Sequence, residues 1–445
     1  MAKDTPLNYR NLVIYEVYVR NHGPNGTFAD VEADLERIRS MGVDVVWFMP
    51  IHPIGKLNKK GSLGCPYSIA DYREINPEYG SKEDFKRLID KAHELGMLVM
   101  IDVVYNHTAH DSVLVSEHPE FFHQDENGQP VTTVPDWSDV IDLKHPQKKL
   151  TKYLHETLQQ WAEFGVDGFR CDVASLLPAR FWTKARKRVA KVKPSVIWLA
   201  ESVHAGWVSY RRAHKLSAIS DSELYRGFDM TYDYDIWPVF QAAVKGLVPV
   251  ARYIDMVRFQ DCIYPANYVK MRCSENHDQP RIMDWAPSRS QALAWTALEA
   301  FNKGSFLIYG GQESGARHTP SLFDIDKVEW GSYELQDYLT RLANLKKDRA
   351  QVEGELIWLT ADSVVQAVWY AGDHSLFGLF NTAAETGSVA INLPDGTYIN
   401  LLDDLAVEVV NGEMPLPADA FITRCSIPAL PEHYSSDLLD GVKGG

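Results

Sequence analysis

Short, largely apolar runs separated by amphipathic segments constrain this chain more than any other feature. Residues 13–19, 43–48, 97–104, 166–171, 196–200, 268–273 and 305–309 are rich in apolar residues without strict alternation, the pattern of strands covered on both faces of a parallel sheet. An eighth run, 224–230, is interrupted by Arg226 and Gly227. Between the runs, residues 30–41, 81–95, 147–164, 178–192 and 289–303 carry apolar side chains at helical spacing, which predicts helices with one buried face. Ser81 precedes one of these, with acidic residues in its first turn, and Gly96 follows it, the expected chemistry at a helix start and stop. Eight alternations over some 350 residues predict an α/β fold, a (β/α)8 TIM barrel, since open doubly wound sheets usually stop at five or six strands.

Two stretches depart from a minimal barrel. Residues 108–145 follow the third strand without helical period, a connection long enough to be a small inserted domain. From residue 351 onward, runs at 364–370, 375–381 and 388–393, with the turn Pro394-Asp395-Gly396, predict a C-terminal antiparallel β domain, a separate β-sandwich. The expected division is therefore 1–107 with 146–350 for the barrel, 108–145 for the insert and 351–445 for the tail.

Charge narrows the function. The chain of 445 residues has 60 acidic and 45 Lys and Arg residues, a net charge of −15, which argues against nucleic acid because phosphate binding needs a basic surface. The N-terminal residues lack an apolar leader core, and no stretch of about 18 uninterrupted apolar residues follows, so the expectation is a soluble, cytoplasmic protein without a membrane role. Five scattered cysteines without a C-x-x-C pair predict reduced, mostly buried thiols.

A barrel gathers its chemistry at the C-terminal ends of its strands. There the sequence places Asp102 with Asn106-His107, Arg170 with Asp172, Glu201, and His277-Asp278. Asp172 and Glu201 are one helix and one strand apart, so they fall on adjacent strand ends, and Asp278 lies two further units on. Two carboxyl groups about 5 Å apart are the equipment of a retaining glycosidase. Taken singly, an Asp at a strand end reads as a helix cap or an ion-pair partner. Their coincidence at the site-building ends favours chemistry.

These four segments, with Gly64-Cys65-Pro66-Tyr67 and Asp71-Tyr72 after the second strand, resemble the signature regions of the α-amylase family of retaining, α-glucan-active glycoside hydrolases. The resemblance covers about Ile14 to Gly311. It implies Asp172 as nucleophile, Glu201 as general acid/base and Asp278 as the third, transition-state-stabilising carboxylate. It also implies sugar-binding roles for Tyr67, His107 and His277, and places Arg170 and Asp102 with them at the substrate site, Arg170 as the cation that keeps the nucleophile ionised and Asp102 as a structural, strand-linking carboxylate. A structural calcium ion would draw on Asn106 and on oxygen ligands such as Asp139. No cofactor is expected for the chemistry itself. After the nucleophile the chain reads Val173-Ala174-Ser175-Leu176, whereas starch-cleaving members typically carry Ala next and a Lys-His pair at the positions of Ser175 and Leu176. The expected activity is hydrolysis of α-glucosidic bonds in maltooligosaccharides or related α-glucans. The alternatives are transglycosylation or disaccharide isomerisation on the same residues, or a catalytically silent glucan-binding protein.

Overall fold

The computed structural model describes residues 4–134 and 136–426. Among the described residues, eight parallel strands close into a barrel: β1 (Val13–Val17), β2 (Val45–Phe48), β3 (Leu98–Val103), β4 (Gly168–Cys171), β5 (Ile197–Ala200), β6 (Met230–Tyr232), β7 (Lys270–Arg272) and β8 (Ser305–Tyr309). Each strand pairs with its sequence neighbour, and β8 closes on β1 with Val13 opposite Phe306. The strands are almost wholly buried, as their apolar character requires.

The surrounding helices are α1 (Phe28–Ser40), α2 (Lys82–Glu94), α3 (Lys148–Phe164), α4 (Ala179–Val189), α5 (Ala205–Ala213), α6 (Trp237–Val244), α7 (Val250–Ile263), α8 (Arg289–Phe301) and α9 (Gln336–Leu345). α2 begins as its sequence predicts. Ser81 Oγ accepts from the Asp84 amide at 3.2 Å while the Asp84 side chain bonds back, and Gly96 takes the left-handed φ of +74° that ends the helix.

Two expectations are corrected. The eighth strand is not at 224–230 but at Met230–Tyr232. Ser220 and Glu223 form a capping box that commits Asp221–Leu224 to a short helix, and Asp229 then accepts from the Trp198 amide at 2.9 Å, setting where pairing with β5 begins. The segment after β3 is not free of helix: Ser112 caps a turn at Val113–Glu117, and His107–Ala109 pairs antiparallel with Val140–Asp142. The tail is antiparallel as expected, built on a four-stranded sheet of Glu355–Ala361, Val365–Tyr370, Ser375–Phe380 and Ala420–Cys425. It packs closely against the barrel. One face of that sheet, with Trp369, Leu376, Phe380 and Ile422, joins the barrel's own core, while Phe377, Leu379 and Phe421 face a smaller cluster on the other side. No helix among the described residues is long and apolar enough to cross a membrane. The five cysteines are unpaired, with Cys171 and Cys273 buried and Cys262 exposed.

Candidate active site

The predicted residues converge on one guanidinium. Arg170 and Asp172 are two apart along β4 and its end, so both point to the same side, and Arg170 sits directly beside Asp102 in the β3–β4 register. Arg170 Nη1 donates to both oxygens of Asp102, at 2.9 and 3.0 Å, and to Asp172 Oδ1 at 3.0 Å. Its Nε donates to the Tyr232 hydroxyl at 3.1 Å. Nη2 lies 2.9 Å from Glu201 Oε2 without hydrogen-bonding alignment, an ion pair by distance alone. Trp47, Tyr67 and Tyr232 surround the cation with ring centroids 5.3 to 5.6 Å away. Arg170 and Asp102 are fully buried and bonded to each other and to the side chains around them rather than open to the rim.

Glu201 has a second anchor. Its Oε2 accepts from the Val173 amide at 2.7 Å, and Val173 makes this possible with a left-handed backbone, φ 35° and ψ 44°. A β-branched residue there costs on the order of 1–3 kcal/mol. The turn after Asp172 is thus strained into a shape that fixes Glu201.

A hydrogen-bonded chain runs from the other side of the barrel. His277 bonds Glu16, on β1, through Nδ1 and the Tyr67 hydroxyl through Nε2 at 2.7 Å. Tyr67 in turn donates to Asp102 Oδ2 at 3.0 Å, and its ring stacks on His277 at 5.5 Å. Asp278, whose amide is held by Asn276 Oδ1 at 2.9 Å, brings Oδ2 to 3.3 Å from His277. It is the most open of the three carboxylates, with 35% side-chain exposure against 9% for Asp172 and 11% for Glu201, which leaves it free for hydroxyl groups. His107 Nε2 stands 3.9 Å from Asp172 Oδ2 and its ring 5.3 Å from Trp137.

Sequence reasoning missed Glu16, Tyr232, Val173 and Trp137. Glu16 left a legible sign, a lone carboxylate within a continuous apolar strand. Tyr232 was hidden by the misplaced strand.

Electrostatics separates the two central carboxyl groups. Burial raises Asp172 to about 7, with Arg170 opposing and Asp102 and Asp278 adding to the rise. Burial likewise raises Glu201, again against Arg170 and with Asp172 and Asp278 reinforcing, to about 8. Burial lowers His107 to about 4, so it is neutral, whereas Asp278 and Glu16 overcome the burial of His277 and lift it to about 9, keeping it cationic. Each carboxylate opposes ionisation of the other, so the pair retains one proton after losing its first, and the aligned hydrogen bond from Arg170 to Asp172 favours Asp172 as the ionised member. The expected pH profile of kcat/KM is a bell, rising as the Asp172–Glu201 pair loses its first proton near 7 and falling as it loses the second near 8. It is checked with a neutral maltooligosaccharide across pH 5 to 10, and a flat alkaline side would remove Glu201 from the acid's role.

The model of the α-amylase catalytic domain matches residues 17–129 and 123–375, and that of the bacterial α-amylase C-terminal domain matches 358–422. The chain belongs to the α-amylase family. It is 43% identical to an α-amylase from Lactobacillus plantarum whose crystal structure superposes with a TM-score of 0.90, over 94% of this chain and 100% of that one. A noncanonic maltogenic α-amylase from Thermotoga neapolitana is 35% identical, with a TM-score of 0.84 over 94% and 100% of the two chains. An α-amylase from Haloarcula japonica is 25% identical over 96% of this chain and 63% of its own length. The chain spans about a third to two thirds of the length of the first curated relatives it matches.

Within this α-amylase-family chain, the residues suggested for calcium do not assemble a cage. Lys60 Nζ lies 3.0 Å from Asp139 Oδ1 and donates to the Asp136 carbonyl at 2.9 Å, so an ammonium already stands on that carboxylate. The Asn106 amide faces His107 Nδ1 at 3.3 Å, and Asp142 accepts from the Thr133 amide at 2.8 Å. Calcium asks for six to eight convergent oxygens. Among the described residues, no group of three or more His, Cys, Asp or Glu side chains is placed to hold a metal. Asn106 and Asp139 therefore do not fit the ion as arranged.

Proposed function

We propose that this chain is a retaining α-glycosidase that hydrolyses α-glucosidic bonds in maltooligosaccharides or related α-glucans. The observation that carries the reading is the shared tether of Asp172 and Glu201 on Arg170. Two carboxyl groups bound to the terminal nitrogens of one guanidinium are drawn toward the roughly 5–5.5 Å separation of retaining enzymes, rather than the 6.5–9.5 Å that leaves room for an attacking water. The likeness to a maltogenic relative supports α-glucan oligosaccharides as substrate.

In this mechanism Asp172 attacks the anomeric carbon as Glu201 delivers its proton to the departing glycosidic oxygen, giving a glycosyl ester and a free sugar. Glu201, now a carboxylate, takes a proton from water, which displaces Asp172. Asp278 and ionised Asp172 flank the positive charge that develops on the ring in both steps. Neutral His107 is placed to hydrogen-bond a sugar hydroxyl beside the reacting carbon through Nε2, whereas His277, with both nitrogens taken by Glu16 and Tyr67, acts by holding the Tyr67 ring in place. Arg170 keeps the nucleophile ionised and aligned, a positioning role.

Two displacements give net retention. The anomeric protons followed by NMR in the first minutes of maltoheptaose hydrolysis are expected to show the α-anomer forming first, with the β-anomer appearing only by mutarotation. Early β-anomer would defeat Asp172 as nucleophile. Products longer than the substrate would move the second step's acceptor from water to a sugar hydroxyl.

A further inference from the structure

Away from the carboxylate cluster, α3 and α4 flank a groove of about 1120 Å³ on the outer wall of the barrel. Its α4 side carries Arg180, Lys184, Lys187, Arg188 and, just past the helix end, Lys191. These fall four, three or one residue apart, so they form one stripe along the helix. Lys148, Lys149 and Lys152 line the α3 side. Only two of these cations have a carboxylate near them: Lys149 lies 3.8 Å from Glu120, and Lys152 lies 3.6 Å from Glu156, both loose and solvent-exposed. Among the described residues the other six form no ion pair. The chain carries 15 more acidic than basic side chains, and most of its arginines elsewhere are bonded to carboxylates, as at Arg20, Arg37, Arg87 and Arg281. A groove where cations gather without counter-charges is therefore a local exception. The opening turns of both helices border it and contain no acidic residue, and Pro178 gives α4 no side-chain cap, so their amide dipoles add to the positive field.

The floor adds a second kind of observation. His145 and His155 line the groove, with the Phe181 ring 5.3 and 4.7 Å from them. His145 Nε2 bonds the Tyr105 carbonyl at 2.8 Å, so Nε2 is the donor and its buried Nδ1 is a lone-pair acceptor without a partner. His155 is 2% exposed and its Nε2 is likewise unpartnered. Unpaired buried polar atoms are costly, and a ligand can satisfy them. Cations on the walls ask for an anion with several oxygens, and on the floor the acceptor Nδ1 of His145 and the unpartnered Nε2 of His155 ask for a hydroxyl, which can donate or accept. The Phe181 ring offers an apolar face to a carbon skeleton.

We propose that the groove between α3 and α4 is a binding site for a sugar phosphate, a small hydroxylated phosphate ester, distinct from the site of glycosidic cleavage. The phosphate groups lie among Lys148, Lys184 and Arg188, and ligand hydroxyls reach the imidazoles.

The test is calorimetric titration of the full chain with a hexose bisphosphate, with tripolyphosphate and with inorganic phosphate, at low ionic strength where such contacts are strongest. The hexose bisphosphate is expected to bind saturably and more tightly than either of the other two. Lys184→Ala/Arg188→Ala should weaken it at least tenfold while leaving maltooligosaccharide hydrolysis intact, which also verifies folding. Lys82→Ala/Lys86→Ala, on a different exposed helix face, should leave the affinity unchanged, and so should Asp172→Asn. Absence of saturable binding, equal loss in both lysine-containing double variants, or loss on Asp172→Asn would overturn the proposal. Tighter binding of tripolyphosphate than of the hexose bisphosphate would overturn the sugar-phosphate assignment by reducing the groove to a simple anion attractor.

Discussion

Asp172→Asn is expected to lower kcat/KM on maltooligosaccharides by on the order of 10⁴- to 10⁶-fold, the scale at which removal of a covalent nucleophile is felt. The amide is close to isosteric, and Arg170 retains Asp102 and Glu201 as partners, so the fold should survive the exchange. What disappears is the anionic oxygen that forms the glycosyl ester. A water entering from the same side does not replace it, because a direct displacement by water needs a base on that face and Glu201 belongs to the opposite one. The measurement is steady-state hydrolysis alongside circular dichroism. Activity within tenfold of the parent would place the nucleophile elsewhere.

Glu201→Gln has the second-largest effect and a more diagnostic one, because its size depends on the substrate. On a maltooligosaccharide, whose leaving sugar hydroxyl is a poor leaving group, loss of the general acid should cost about 10²- to 10⁴-fold. An aryl glycoside with an acidic phenol leaves with little protonation, so its first displacement should be slowed far less. The second displacement still lacks its base. The glycosyl-enzyme should therefore accumulate, seen as a burst of phenol stoichiometric with enzyme followed by slow turnover, and as a mass increase on the intact protein. Equal losses on both substrate types, with no burst, would assign the proton to another group.

Much of this site was readable before any coordinates. Asp102, Arg170, Asp172, Glu201 and His277-Asp278 each follow or close an apolar run, and a barrel sends the ends of such runs to one rim. Their residue types then say what the rim can do. The same logic failed at β6, because a three-residue strand leaves little apolar signal and Ser220 and Glu223 divert the preceding run into a helix. Val173 was legible only as an unusual residue after the nucleophile; its left-handed backbone depends on the Glu201 contact, which no local pattern encodes. Pairwise competition was equally invisible. Asp139 read as an oxygen donor, but whether a carboxylate faces a metal or an ammonium depends on Lys60, nearly eighty positions earlier and brought close only by folding. The tail's strands were clear from alternation and turns, whereas the destination of their inner face was not.

That inner face has a further consequence. Trp369 Nε1 donates to the Phe301 carbonyl at 2.7 Å, at the end of α8, and the Phe301 and Phe380 rings meet at 5.3 Å. Tail and barrel are therefore expected to melt in one transition in calorimetry, for neither can open without exposing the other's apolar surface to water. The C-terminal sheet works as a clasp on α8, the helix that leads into the closing strand, and a lesion in a strand far from the rim is expected to lower the heat resistance of the whole barrel. A shortened chain ending before that sheet would retain every catalytic residue and still lack a closed hydrophobic interior.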